Sequence, residues 1–168
     1  MKSKSGIAVL IMMVCALAAA GQATRGKAEA TVKGKKITID YGKPKLEGRD
    51  MIGMAKPGMT WRLGMDDATE IQSTATLMVG GKELKPGKYT LWAVKKSATE
   101  WTLNFHPTTG VWGSPELTSG YIATMPLKLD KAAKSSEELT IAVADKAGDA
   151  TITIVWGTAQ LTAILGVK

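Results

Sequence analysis

Thr69-Glu-Ile-Gln-Ser-Thr-Ala-Thr-Leu-Met-Val-Gly-Gly-Lys-Glu-Leu-Lys-Pro-Gly-Lys-Tyr-Thr-Leu-Trp92 holds two turn signals between β-patterned runs. Thr69 to Ser73 and Thr74 to Val79 read as strand with a bulge between them. Gly80-Gly81 reads as a tight hairpin turn, because glycine takes positive φ without steric cost. Pro86-Gly87 reads as the central pair of a type II turn. From Lys88 to Val94 the alternation places Tyr89, Leu91 and Ala93 on one face and Thr90, Trp92 and Val94 on the other. Just upstream, Trp61-Arg-Leu-Gly-Met-Asp-Asp-Ala-Thr69 breaks at a glycine and presents two carboxylates.

The same period of two recurs on both sides. Lys36 to Tyr41 puts Ile37, Ile39 and Tyr41 on one face, and Glu100 to Phe105 does so with Trp101, Leu103 and Phe105. Met59 to Leu63 reads as a short strand after a loop from Arg49 to Gly58, with a helical turn over Asp50 to Ala55. His106 to Ser119 is irregular. Tyr121 to Leu129, Leu139 to Ala144, Ala150 to Trp156 and Gln160 to Leu165 read as four more strands, with a turn at Lys146 to Asp149. Apolar period 3.6 never persists. About nine short strands indicate an all-β, single-domain antiparallel β-sandwich of jelly-roll type.

Lys2 and Lys4 precede the apolar run Ile7 to Ala20, and small residues close it at Ala18-Ala19-Ala20 or Gly21-Gln22-Ala23. A basic start, a short apolar centre and a small-residue end are the marks of a secretory signal peptide. Residues 1–23 are therefore assigned as signal peptide, 24–34 as a flexible lead-in and 35–168 as the β-sandwich domain. The expected location is periplasmic or extracellular, with no transmembrane segment after cleavage. Cys15 is the only cysteine and lies within the apolar run, so the expected mature chain forms no disulfide and has no thiolate chemistry. The formal charge is +7, and the excess is concentrated between Arg25 and Arg49, where eight basic residues meet three acidic ones. No aromatics interleave with these cations, which argues against nucleic acid as a partner.

Tyr41-x-x-Pro44, Gly48-Arg49, Trp61-Arg62-x-Gly64, Ala68-Thr69, Pro86-x-x-Tyr89-x-Leu91, Trp101-Thr102 and Trp112-Gly113 occur in an order that resembles a secreted bacterial family, domain of unknown function 2911. The resemblance spans roughly residues 30 to 165, and the Trp-Arg-x-Gly block is its most specific part. That family usually reads Trp-Arg-Thr-Gly-Ala-Asn-Glu-Ala-Thr there; this chain has Leu63, Asp66 and Asp67 for the threonine, asparagine and glutamate. Its usual residue at the position of His106 is asparagine. The resemblance implies a fold and an exported location but no activity.

The residues offer three chemistries. Trp61, Arg62, Gly64, Asp67, Trp112 and Gly113 form the candidate ligand site, tryptophans supplying contact area and an Arg62–Asp67 pair orienting a polar ligand. Trp92 is a second candidate for an aromatic platform beside Trp112. This reading favours a non-enzymatic binding or envelope-associated module whose partner is a small molecule, a glycan or an envelope protein. Asp67 and Glu70 are the pair a hydrolase acting on an envelope glycan or ester would need. Met51, Met54, Met59 and Met65 surround Trp61 in sequence and are weak candidates for copper(I), since thioethers are soft ligands. His106 is the sole histidine, reads as a loop residue, and cannot alone make a zinc site. No cofactor is implied.

Overall fold

The computed structural model describes residues 25–168; the assignment of a signal peptide to residues 1–23 lies outside the described residues. The described residues are all-β, in ten antiparallel strands: β1 (Arg25–Val32), β2 (Lys35–Gly42), β3 (Thr60–Trp61), β4 (Glu70–Ser73), β5 (Leu77–Val79), β6 (Lys82–Leu84), β7 (Gly87–Lys95), β8 (Trp101–His106), β9 (Ala123–Lys146) and β10 (Asp149–Val167). The hydrogen-bonded order is β1-β2-β4-β7-β8-β9-β10-β5-β6, with β3 beside β7. The sheet folds on itself through its two longest strands. The start of β9 pairs with β8, while β10 pairs with β9 along its length and with β5 at its end.

Residue alternation explains the core. Ile37, Ile39, Ile71, Leu91, Leu103 and Phe105 from one layer meet Leu77, Leu139, Ile152, Leu161 and Leu165 from the other in a single buried cluster. Side chains of period two must share a face, so each strand gives one row to this cluster.

Several expectations are corrected. Residues 25–32 are not a flexible lead-in but the first strand, paired with β2 from Arg25↔Gly42 to Val32↔Lys35. Its inward residues are small, and Gly26 lies so close to the Tyr41 ring that a Cβ there would sit 2.5 Å from it. A strand fitted under a neighbour's aromatic ring carries little hydrophobic signal of its own. The four strands expected after residue 120 are two. Along β10 the buried residues fall at even positions up to Trp156 and at odd positions from Leu161. The change of parity occurs at Gly157 (φ +64°), where the β9–β10 register shifts. An irregularity of this kind turns the following side chains over without ending the strand.

Thr74–Thr76 is a crossing between layers and not a bulge, since β4 pairs with β2 and β7 but β5 pairs with β10 and β6. Met59 to Leu63 contributes only two strand residues, β3. Pro86-Gly87 is not a type II turn. Gly87 has φ +159° and is the first residue of β7, ahead of Lys88. The expected helical turn survives as one hydrogen bond, Met54 N–H to the Asp50 carbonyl at 2.9 Å.

Gly80 and Gly81 do form the β5–β6 hairpin turn, with φ of +55° and +83°. They are not equivalent. A Cβ on Gly80 would overlap the Thr124 carbonyl oxygen of β9, whereas nothing lies near one on Gly81. Gly80→Ala is expected to cost about 1–3 kcal/mol through steric overlap. Gly81→Asn, which tolerates the left-handed conformation in open space, should stay within about 0.5 kcal/mol. Urea denaturation of the two variants measures the difference.

Candidate functional site

β3 and β4 lie on the same edge of β7: Thr60 and Trp61 pair with Val94 and Ala93, and Glu70 to Ser73 pair with Thr90 to Gly87. They are two ends of one interrupted strand, and residues 62–69 are an excursion between them. Leu63 anchors the excursion in the core, fully buried, although it holds a left-handed φ of +54°. Asp66 is also left-handed, at +59°. The Thr69 hydroxyl closes the loop by donating to the Leu63 carbonyl at 2.8 Å. Gly64 fits because a Cβ would lie 3.0 Å from that hydroxyl and 3.1 Å from the backbone of Gly42. Gly42 in turn admits no Cβ, because the Met65 backbone occupies the space.

This excursion is fastened to the irregular segment after β8. Ala68 N–H donates to the Val111 carbonyl at 3.0 Å, and Gly113 N–H to the Asp66 carbonyl at 2.9 Å, making a bridge between Asp67 and Trp112. A Cβ on Gly113 would lie 2.5 Å from Arg62 Cδ. The structure therefore brings Arg62, Gly64, Asp67, Trp112 and Gly113 into one loop pair. It does not make the expected Arg62–Asp67 ion pair: the Arg62 stem lies against Gly113, and the eight ion pairs of the described residues do not include it. The arginine that reaches Asp67 is Arg25, whose Nη1 donates to the Asp67 carbonyl at 3.4 Å while the guanidinium pairs with Asp40.

The tryptophans divide. Trp61 stacks on Trp156 with ring centroids 5.5 Å apart and meets Trp101 edge-on at 6.4 Å, so it is a packing residue. Trp92 is fully buried, its indole N–H donating to Thr90 Oγ1 at 3.0 Å, and is no surface platform. Thr90 and Val94, on the same face of β7, are buried with it. Trp112 is 56% exposed.

Beside Asp67 and Val111 lies a cleft of about 160 Å³, bordered also by Arg25, Asp40, Glu70 and Gly110. Through Asp40 and Glu70 it adjoins a groove of about 430 Å³ on the outer face of β1, β2, β4 and β7, lined by Lys27, Lys36, Thr38, Gln72, Thr74 and Lys88. Glu70 is the hinge of the two. One carboxylate oxygen accepts the Gly110 N–H at 2.6 Å and the other pairs with Lys88 at 3.0 Å. Lys27 and Lys36 both reach Glu29 Oε1, at 2.7 and 3.2 Å. Hydrogen bonds donated by Lys27 and then by Lys36 hold the Glu29 carboxyl below its ordinary value, and the bond that Lys27 donates to Glu29 raises the Lys27 ammonium.

Arg25, Lys27 and Lys36 fall in or next to the region expected to be a lead-in. Their signal was the polar half of the alternation: once Ala28 and Ile37 face inward, Lys27 and Lys36 must face out together. His106 ends β8, its Nδ1 accepting the Thr108 N–H at 3.0 Å. Among the described residues no three His, Cys, Asp or Glu side chains are grouped to hold a metal. Of the four methionines, Met51 packs on the core, Met54 and Met59 are exposed, and Met65 lies half-buried against Gly42. No helix among the described residues is long and apolar enough to cross a membrane.

Glu70→Ala removes the acceptor that ties Gly110 to β4 and leaves Lys88 without its partner. The expected loss is about 1–3 kcal/mol, with faster hydrogen exchange at Gly110 than in the wild-type protein. Denaturant titration and amide exchange check the two effects.

No curated protein and no solved structure matches the chain. A family model described as a protein of unknown function, DUF2911, matches residues 23–164. The match covers most of the chain, and the protein belongs to the DUF2911 family.

Proposed function

We propose that this is an exported, envelope-located binding module, non-enzymatic, which holds a polar glycan along the groove of β1, β2, β4 and β7 and reaches past the adjoining cleft to Trp112. One observation carries the reading: the Asp40 and Glu70 carboxylates at the junction of groove and cleft are already engaged, while Trp112 stands exposed on the segment whose Gly110 and Val111 border the cleft. Sugar recognition calls for an apolar face to stack on and fixed polar groups around it. Export rests on the basic, apolar and small-residue order of the first 23 residues.

The hydrolase reading fares less well. Asp67 and Glu70 border one cleft, but both Glu70 oxygens take donors from within the protein. A glycosidase needs a carboxyl free to reach the scissile bond and a second placed across it. The copper(I) reading needs several thioethers turned to one point, and the four methionines occupy dissimilar settings.

A thermal-shift screen against neutral and charged oligosaccharides, cell-wall fragments and copper(I) tests the proposal. A ligand at a hundredfold excess over Kd stabilises the native state by about 2.7 kcal/mol. A shift with one glycan class that Trp112→Ala abolishes is the expected result. A copper(I) shift lost with the methionines overturns it, as does release of new reducing ends from the bound glycan.

A further inference from the structure

We propose that the groove selects an anionic glycan, a chain bearing carboxylates, whose charges are taken by Lys27, Lys36 and Lys88. The inference rests on the binding reading above and names the class of ligand for the same site.

The argument begins with charge. Arg25, Lys27, Lys36 and Lys88 share one sheet face with three carboxylates, those of Glu29, Asp40 and Glu70. Arg25 is matched by Asp40 and Lys88 by Glu70. Lys27 and Lys36 divide a single carboxylate oxygen, so the unbalanced positive charge lies between these two. Each ammonium has three donors, and each of the three lysines spends one on a carboxylate of the protein. The face thus carries one positive charge beyond its carboxylates, and each lysine keeps ammonium donors that the oxygens of an occupant can meet.

Beside the lysines, Gln72 is exposed and Thr38 half-buried. Both line the groove, and such side chains suit hydroxyl groups. Four strands at a spacing near 4.8 Å make the face roughly 14 Å across, which suits a chain of rings better than one sugar. The residues also weigh against other polyanions. Planar, bidentate phosphate capture favours arginine, and Arg25 is held by Asp40. No aromatic stands among the groove lysines to stack a base.

Calorimetric titration of the full chain with an oligomer of galacturonic acid, and with its methyl ester, tests the assignment. The acid should bind about tenfold more tightly than the ester, and salt near 1 M, where the screening length is roughly 3 Å, should remove the preference. Lys27→Gln with Lys36→Gln should weaken the acid about tenfold without affecting the ester. Because both lysines are exposed, melting of the double variant should match wild type, which separates lost binding from lost fold. Trp112→Ala should weaken both ligands. Equal affinity for acid and ester overturns the charge selection and leaves the binding module standing. Binding to neither, with no glycan shift in the thermal screen, overturns both readings. Tighter binding to phosphatidylglycerol vesicles or to oligo-deoxythymidine than to the acid also overturns this one.

Discussion

The candidate site depends on backbone meeting backbone where no side chain fits. Gly42, at the end of β2, lies against the Met65 peptide, and Gly64 lies back against Gly42. Only this close approach lets residues 62–69 leave the edge of β7 and return to it as β4. Van der Waals exclusion at these distances is steep, so a single methyl group would shift the loop. The loop carries its own strain in left-handed Leu63, held there by complete burial and by the Thr69 hydroxyl on its carbonyl. A residue kept in a conformation it disfavours must be overdetermined by its surroundings. Here the surroundings are the core below and the Trp112 segment above.

From that constraint the site's geometry follows. The bridge between Asp67 and Trp112 fastens the segment that carries the exposed indole to the excursion, and its Gly110 and Val111 border the cleft where Asp40 and Glu70 meet. Glu70 belongs at once to β4, to the Gly110 peptide and to Lys88 on β7, and so couples the loop pair to the polar face of the sheet. The groove lysines stand on that face because their inward neighbours fill the sandwich. Packing and charge display are two halves of one alternation.

Much of the fold was legible because period two is a local property. Ile37, Ile39, Leu103 and Phe105 announced their strands, and Gly80-Gly81 its hairpin, from neighbours alone. β1 was illegible since Gly26, Ala28 and Ala30 are small to suit Tyr41 and the facing strand, and nothing local records what a small residue makes room for. The unity of β10 was hidden by Gly157, where a change of parity imitates an end. In the site, Gly64, Trp112 and Gly113 were found by motif. The Arg62–Asp67 pair was inferred from proximity along the chain, which says little about direction in space. The arginine that reaches Asp67 comes from a strand far away in sequence, where no pattern could connect them.

By itself the sequence determined an all-β chain of short alternating runs, its main turn at Gly80-Gly81, and membership of a family through the Trp-Arg-x-Gly block. These rest on steric preference and side-chain period, which act between near neighbours. The tertiary structure alone decided which tryptophan is exposed, which cation faces which carboxylate, and that a polar groove exists at all. Exposure and ion pairing are properties of pairs brought together across the sheet. They are set by strand order and register, and those emerge only when the whole core closes.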